Sequence, residues 1–240
     1  LMISGFMNVT GNMASGLHFS GVANITGQSF GGLMASGLLN VVGEHMNGLQ
    51  IAGIANITAS KLNGVQVALC NYATKTRGLQ IGLVNYYKED MKGFQLGLVN
   101  ANPDTKVQMM VYGGNATPAN IGVRFKNQLF YTILGVGSMY QGLNDKFSAS
   151  ASYRAGLSFP LYKGLSISGD LGYQHIEAFD NKDEVIPKRL YALQARANLE
   201  YQFTKKFGIF ATGGYGVTRF YNKSSNYDKG AIIEAGIVLF

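Results

Sequence analysis

The chain has 240 residues, of which 47% are hydrophobic and only 14% charged, against roughly 25% charged residues in ordinary globular domains. This composition excludes a disordered chain, and the lack of an uninterrupted apolar run of about 18 residues argues against a membrane-spanning helix. The formal net charge of +7 is dispersed without a dense basic run, so we expect no nucleic-acid partner. Cys70 is the only cysteine, which excludes a disulfide framework, and we expect no cofactor.

Residues 1–102 consist of seven similar units, whose central Asn residues stand 14 to 16 residues apart. The most regular units read GLQIAGIAN, GLQIGLVN and GFQLGLVN, and short polar spacers separate them. Repeats of this kind predict one structural element per unit. Leu1 already falls within a unit, so we expect the natural chain to begin further upstream. The repeated residues are Asn8, Asn24, Asn40, Asn56, Asn71, Asn85 and Asn100.

Charged residues avoid the repeated segments. Residues 1–43 contain no Asp, Glu, Lys or Arg, and the eight that follow before residue 103 all lie in the spacers. Within each unit two faces alternate, as Leu17 and Phe19 do with His18 and Ser20, and a period of two predicts β-strands. An uncharged strand of about ten residues would also cover the roughly 25 Å apolar band of an outer-membrane barrel.

Residues 103–240 predict longer strands with one apolar and one polar face. The clearest of them cover residues 147–162, 165–174 and 190–203. Tight and longer connections alternate between the strands; the tight ones fall at 127–128, 162–164 and 205–206, the longer ones at 142–146, 180–188 and 222–229. Apolar residues outside, polar residues inside and connections of alternating length are typical of transmembrane β-barrels.

Two features resemble known families. The last strand, GAIIEAGIVLF, ends at Phe240, and this is similar to the C-terminal signature that the insertion machinery of bacterial outer membranes reads. The G-[LVF]-Q-x-G-L-x-N units resemble the surface-repeat proteins of Bacteroidota outer membranes, in which such units precede a barrel-like region. The resemblance implies an insertion signal at Phe240 and a location in the outer membrane of a Gram-negative bacterium. It further implies outer-membrane lipids and other outer-membrane proteins as partners, and it implies no enzymatic activity.

Two all-β architectures fit the repeats. In the main prediction, each unit is one strand of a transmembrane antiparallel barrel of about 14–16 strands. In the alternative, the units are coils of an N-terminal β-solenoid that precedes a barrel of about 8 strands. The solenoid explains why the units are alike, whereas their lack of charge favours membrane strands. Asn85 and Asn100 share the parity of the apolar residues in their units, so the single barrel requires a bulge there.

The single barrel places a set of polar side chains on its inner wall. One interpretation is a neutral, hydrogen-bonding pore whose charged residues set its selectivity; the other is that these groups pair with one another in a closed lumen. Glu234 shares the parity of Phe240, so the last strand carries a charge and an aromatic ring on one face. The predicted pore-lining residues are His18, Ser20, Asn24, Asn40, Gln50, Asn56, Gln66, Gln80, Arg154, Asp170, Arg196 and Glu200.

The sequence therefore predicts a passive channel, or a structural or accessory subunit of a larger outer-membrane complex. An alternative is a surface-exposed solenoid that mediates adhesion or another interaction and is anchored by a small barrel. A third class is an outer-membrane enzyme that modifies lipids. It would use His175 with Glu177 and Asp180, since a His beside carboxylates can act as a general base. His18 and His45 are too isolated to suggest a metal site.

Overall fold

The computed structural model describes residues 1–138, 140, 143, 147–179, 189–221 and 226–240. Within these ranges the chain is all-β and forms two compact units, Leu1–Asp104 and Thr105–Phe240. No helix in the described ranges is long and apolar enough to cross a membrane. The strands of the first unit are β1 (Met2–Ser4), β2 (Met7–Thr10), β3 (Ala14–Ser20), β4 (Ala23–Thr26), β5 (Phe30–Ser36), β6 (Leu39–Val42), β7 (His45–Ala52), β8 (Ala55–Val67), β9 (Cys70–Ile81), β10 (Val84–Leu96) and β11 (Val99–Ala101). Those of the second unit are β12 (Lys106–Gly114), β13 (Ala119–Asn127), β14 (Phe130–Ser138), β15 (Ser148–Tyr162), β16 (Leu165–Ala178), β17 (Arg189–Thr204), β18 (Phe207–Phe220) and β19 (Asn226–Leu239).

The first unit is a parallel β-solenoid of seven coils. Each coil consists of a first strand, a corner, a second strand and a turn that leads to the next coil. Strands pair in register with the equivalent strands of the next coil, so that Leu33 lies beside Leu49 and Asn24 beside Asn40. Equivalent positions therefore stack along the solenoid, which explains why the units share one sequence. The coils comprise residues 2–10, 14–26, 30–42, 45–58, 61–73, 75–87 and 90–101.

One inward position of the first strand requires glycine. Its φ is positive, 134° at Gly48 and 141° at Gly64, in a region that residues with a side chain rarely adopt. A Cβ atom added at Gly64 would lie 1.9 Å from the carbonyl oxygen of Gly48. The equivalent glycines of successive coils form a column, and the absence of side chains in this column allows the coils to stack closely. Its members are Gly16, Gly32, Gly48, Gly64, Gly78 and Gly93.

The all-β prediction is confirmed, but its main architecture, a single barrel of about 14–16 strands, is wrong. The repeats form the solenoid, and the closed barrel has eight strands, as in the alternative architecture. The pattern was ambiguous because period-two alternation shows only that two faces differ. In this solenoid the face that carries the Asn and Gln residues points inward, together with apolar residues such as Phe30 and Met46, and the opposite face is apolar and points outward. A membrane strand also turns its apolar face outward and its polar residues inward. The parity conflict disappears because a corner separates Gln80 from Asn85, and the shorter units have one residue fewer between these two positions than the longer units have between Gln50 and Asn56.

The second unit is a closed antiparallel barrel in which β12 pairs with both β13 and β19. Tight turns join β13 to β14, β15 to β16 and β17 to β18, as predicted, and they define one end of the barrel, the turn end. β12 starts at the turn end, where Lys106 pairs with Lys126. The connections after β14, β16 and β18 define the opposite end, the loop end, and much of their length lies outside the described residues.

Candidate functional site

The barrel turns an apolar face outward and a polar face inward. On β17, Leu193 and Leu199 are 48% and 50% exposed, while the intervening Arg196 and Asn198 are each 7% exposed. Among the described residues of the barrel strands, outward-facing charged side chains occur only toward the loop end, and they are Glu177, Arg189, Arg219 and Lys229. A barrel in water shows the opposite arrangement, with its polar face outside.

Aromatic side chains bound the apolar band at both ends. At the turn end, the ring of Phe203 lies 4.8 Å from that of Tyr201 and 6.0 Å from that of Phe207. Toward the loop end, the rings of Tyr191 and Tyr221 are 5.1 Å apart. Tyr191 and Tyr201 lie on the same face of β17, ten residues apart. In a barrel whose strands tilt by about 40°, this separation corresponds to roughly 25 Å, the height of the apolar band of a membrane barrel.

Three bidentate arginine–carboxylate pairs lie in the barrel interior among the residues that the structure describes. In the first, N–H groups of Arg124 donate to both oxygens of Glu200 over 2.6 and 3.0 Å. The second pair has two bonds of 2.8 Å, and the third has bonds of 3.1 and 3.2 Å. Bidentate pairing of this kind neutralises each buried charge and fixes the geometry of the two side chains. The pairs are Arg124–Glu200, Arg154–Asp170 and Arg196–Glu234.

Further contacts join the second and third pairs into one network, and the Arg124 guanidinium of the first pair lies 5.9 Å from the centre of the Tyr131 ring. The Tyr131 hydroxyl donates to Asp170 over 2.8 Å, and the Asn198 amide donates to the same carboxylate over 2.9 Å. Arg154 also lies 3.7 Å from Glu234, between the second and third pairs. The side chains are almost inaccessible to water, with Arg154 exposed by only 1%. A water-filled channel at this level would expose them, so this layer of the interior is filled.

Apolar clusters lie next to the network on the inner side of the barrel. Toward the loop end the cluster consists of Tyr140, Leu143, Ile176, Ala178, Leu190 and Ala192. Near the turn end it consists of Met110, Tyr112, Tyr131, Ile133, Phe210 and Val238, with Phe240 packed against it. A cavity of about 190 Å³ lies at the turn end and one of about 350 Å³ at the loop end.

The four predicted pore-lining residues of the second unit, Arg154, Asp170, Arg196 and Glu200, do face the barrel interior. They pair with partners there and line no open passage at their own level. Glu234 and Phe240 share a face without conflict, because the interior holds both paired charges and apolar clusters.

Sequence reasoning missed Arg124, the partner of Glu200. The signal was present on β13, where Ile121, Val123 and Phe125 alternate with Asn120, Gly122 and Arg124. The strand is short, however, and its polar face contains a glycine, so its alternation is only a weak signal that Arg124 faces the barrel interior.

The prediction that the repeats line a pore is wrong, because their polar side chains lie inside the solenoid. The Nδ2 group of Asn24 donates to Asn40 Oδ1 and to the carbonyl of Ala35, both over 2.9 Å. The Nε2 group of Gln66 donates to Gln50 Oε1, also over 2.9 Å. These ladders satisfy buried amides by joining each coil to the next. Ser20 is half-buried, and the others are at most 3% exposed: His18, Asn24, Asn40, Gln50, Asn56, Gln66 and Gln80.

His18 occupies the interior position that Met34 takes in the next coil. Its ring lies edge-on to Phe30, with centroids 4.7 Å apart. Burial lowers the pKa of His18 below its ordinary value, which favours the neutral ring. His18 is therefore a packed interior residue. Within the described ranges, no group of three or more His, Cys, Asp or Glu side chains is placed to hold a metal ion.

His175 and Glu177 come together on the outward face of β16 near the loop end. His175 Nε2 lies 3.4 Å from a Glu177 oxygen, Nδ1 lies 2.6 Å from the Tyr221 hydroxyl, and Arg189 binds the same carboxylate over 2.9 Å. Partial burial and the neighbouring Tyr173 hydroxyl raise the pKa of Tyr221 to about 12, so its hydroxyl is protonated at neutral pH. Asp180, the third residue predicted for this group, lies outside the described residues.

No protein-family model and no curated protein sequence matches this chain. Among solved structures, it is similar to the N-terminal β-barrel domain of Pseudomonas aeruginosa OprF, with 16% identity and a TM-score of 0.36 over 55% of this chain and 93% of that one. It is also similar to Neisserial surface protein A, with 9% identity and a TM-score of 0.35 over 55% of this chain and 92% of that one. Similarity of this extent leaves the function to be derived from the geometry of the chain itself.

Proposed function

We propose that this chain is an outer-membrane protein whose barrel anchors it in the lipid bilayer and whose solenoid acts as a structural or accessory module. One observation carries the proposal: an uncharged apolar band, bounded by aromatic rings, surrounds an interior of paired charges. In water such a barrel would expose a large apolar surface, whereas in a bilayer that surface meets hydrocarbon. The filled layer around Arg154 favours an anchor over a passive channel.

Membrane orientation follows from the connections. Outer-membrane barrels place their short turns in the periplasm. Since β12 starts at the turn end, the first strand of the barrel would begin at the periplasmic side of the membrane. A relation to the Bacteroidota surface-repeat proteins, and the role of Phe240 as an insertion signal, belong to the same proposal and are supported by the sequence motifs.

The proposal includes no catalytic role. A lipid-modifying enzyme would need a nucleophile that His175 activates, but both ring nitrogens of His175 are already engaged, one by the Tyr221 hydroxyl and the other by Glu177. We expect membranes that contain the His175→Ala variant to have the same lipid composition as those that contain the unchanged protein. Loss of a modified lipid on this substitution would instead support the enzyme alternative.

Lipid contact of the barrel is tested on β17 with single spin labels in the full-length chain. In a Cys70→Ser background, labels at the outward Leu193 and Leu199 should be relaxed by oxygen in the bilayer, but not by a water-soluble nickel chelate. A label at the inward Gln194 is the matched control. Oxygen should relax this label less than it relaxes the labels at Leu193 and Leu199, and the chelate should not relax it strongly either. If the chelate reaches the label at Leu193, the barrel does not lie in lipid and the proposal fails.

Conductance separates the anchor from the channel. We expect the inserted protein to give no stepwise current in planar bilayers, because the paired side chains fill the lumen. Reproducible current steps that disappear when a bulky label is placed at an inward position would favour the passive channel.

A further inference from the structure

The solenoid has two edges of opposite character. The turns between coils, together with the first residues of the strands that follow, form one edge, which we call the charged edge. All charged residues of 1–102, a range that the structure describes completely, lie there. Lys75 and Glu89 pair across adjacent coils over 3.1 Å. The charged edge contains Glu44, Lys61, Lys75, Arg77, Lys88, Glu89, Asp90 and Lys92.

The corners between the first and second strands form the opposite edge, which we call the aliphatic edge. One residue of each corner points away from the solenoid, and Leu38, Ile54, Leu69 and Leu83 are 44% to 50% exposed. The flanking columns consist of glycine and apolar residues apart from Cys70, and the nearest hydroxyl groups, those of Ser4, Ser20 and Ser36, stand before the corner glycines of the first three coils. With strands spaced about 4.8 Å apart, seven coils give a strip roughly 29 Å long. Its central column is Phe6, Val22, Leu38, Ile54, Leu69, Leu83 and Leu98.

The backbone along the aliphatic edge is hydrogen-bonded within the solenoid. The amide of Leu38 donates to the carbonyl of Val22, and that of Ile54 donates to the carbonyl of Leu38, both over 3.0 Å. The amide of Cys70 donates in turn to the carbonyl of Ile54 over 2.8 Å. Peptide groups that are bonded in this way can leave water at little cost, which is the condition for contact with hydrocarbon.

Lipid fits this strip better than a protein partner does. A protein–protein interface typically has about one hydrogen bond per 100–200 Å² of buried area and a polar rim. The aliphatic edge offers no side-chain donors or acceptors in its central column, and its corners contain small residues such as Gly37 and Gly53. A continuous apolar strip with all charges on the opposite edge is the arrangement by which amphipathic elements lie at a membrane surface.

We propose that the aliphatic edge of the solenoid lies in the hydrocarbon boundary of the bilayer, with the charged edge in water. The ligand is the acyl region of membrane lipids, and the solenoid is then a second, peripheral membrane contact of this chain. The inference rests on the proposed function only in that the barrel brings the solenoid to the bilayer.

The native Cys70 provides the probe, since it is exposed and follows Leu69 directly in the aliphatic edge. The full-length protein is labelled at Cys70 with an environment-sensitive fluorophore and inserted into phospholipid vesicles, with or without brominated acyl chains. We expect emission at shorter wavelength and strong quenching by the brominated lipid. The matched control carries the same label at Lys75→Cys on the charged edge, in a Cys70→Ser background, and should show neither effect.

Each result decides the question. Blue-shifted emission at Cys70 without quenching would mean that protein, either a partner or a second copy, covers the edge, and it would overturn the inference. Emission typical of water would overturn it as well. A label at the outward Leu193 of the barrel is measured in parallel. If that label is quenched and Cys70 is not, the inference fails alone; if Leu193 is not quenched, the proposed function fails.

A substitution on the edge provides a second test. Ile54 is 50% exposed, so the Ile54→Asp variant should fold while it places a charge in the strip. We expect quenching at Cys70 to be lost in this variant and quenching at Leu193 to be unchanged. Hydrogen exchange at the amides of the neighbouring coils verifies that the solenoid is folded. Unchanged quenching at Cys70 in a folded variant would contradict insertion of the edge.

Discussion

Asn40 and Asn56 lie one coil apart in the solenoid, and the Nδ2 group of Asn40 donates a hydrogen bond of 2.9 Å to Asn56 Oδ1. Asn40 also donates to the carbonyl of Ile51 over 2.7 Å and accepts a bond from Asn24. Asn40 therefore joins three successive coils. Because the side chain is fully buried, its partners have no access to water that could replace these bonds.

We predict that Asn40→Ala lowers the free energy of unfolding of the solenoid by about 3 kcal/mol, since it leaves buried donors and acceptors unpaired. Asn47 is a matched control, because it forms the same kind of Asn–Asn contact with Asn63 on the exposed surface. Asn47→Ala should cost less than about 0.5 kcal/mol. Hydrogen exchange of the peptides that cover coils 3 and 4 measures both effects. Equal protection in the two variants would contradict a stabilising role of the buried ladder.

The glycine column predicts a second difference between similar substitutions. Gly64→Ala forces a side chain into a positive φ and against the carbonyl of Gly48, at a cost of about 2 kcal/mol or more. Gly11→Ala is the control, since a Cβ atom at Gly11 meets no atom within 4 Å. Urea unfolding followed by circular dichroism should show the solenoid transition shifted for Gly64→Ala only. A comparable shift for Gly11→Ala would mean that the loss reflects general glycine flexibility.

In the barrel, we predict that removing one member of a buried ion pair lowers the free energy of unfolding more than replacing both members does. Arg124→Met leaves Glu200 buried without its main partner, and we expect a loss of about 3–5 kcal/mol in unfolding from detergent micelles. The double variant Arg124→Met/Glu200→Gln should recover part of it. Arg189→Met removes the exposed partner of Glu177 and should cost within about 1 kcal/mol. If the double variant is less stable than the single one, the pair does not act as a unit.

His18 predicts a pH dependence of the solenoid. Its folded pKa lies below the value of 6.5 in an unfolded chain, so below this pH the unfolded state takes up a proton that the folded state does not. The free energy of unfolding should therefore fall as the pH decreases below about 6.5, and level off below the folded pKa. His18→Met, which places the residue of the next coil at this position, should remove the slope. Unfolding midpoints between pH 4 and 8 test this, and a slope that persists in His18→Met would exclude His18 as its source.

The sequence predicted the strands, the repeat units and the polarity of the second unit, because alternation and turn residues are local signals. It did not distinguish solenoid from barrel, because Gln50 and Asn56 alternate with apolar residues in either architecture. The column that includes Gly48 and Gly64 would have favoured the solenoid, since a barrel strand has no need of glycine at one fixed place in every unit. The pairing of Arg124 with Glu200 depends on barrel closure, which brings together residues 76 positions apart.

Because every solenoid position stacks upon its own counterpart, a whole unit can be duplicated or deleted without creating a new kind of contact. The segment from His45 to Ser60, for example, ends where its neighbour begins with the same geometry. One unit more or fewer changes the length of the solenoid by one coil, about 4.8 Å, and leaves the contacts within the remaining coils unchanged. The length of the solenoid is thus set in whole steps by the number of units in the sequence.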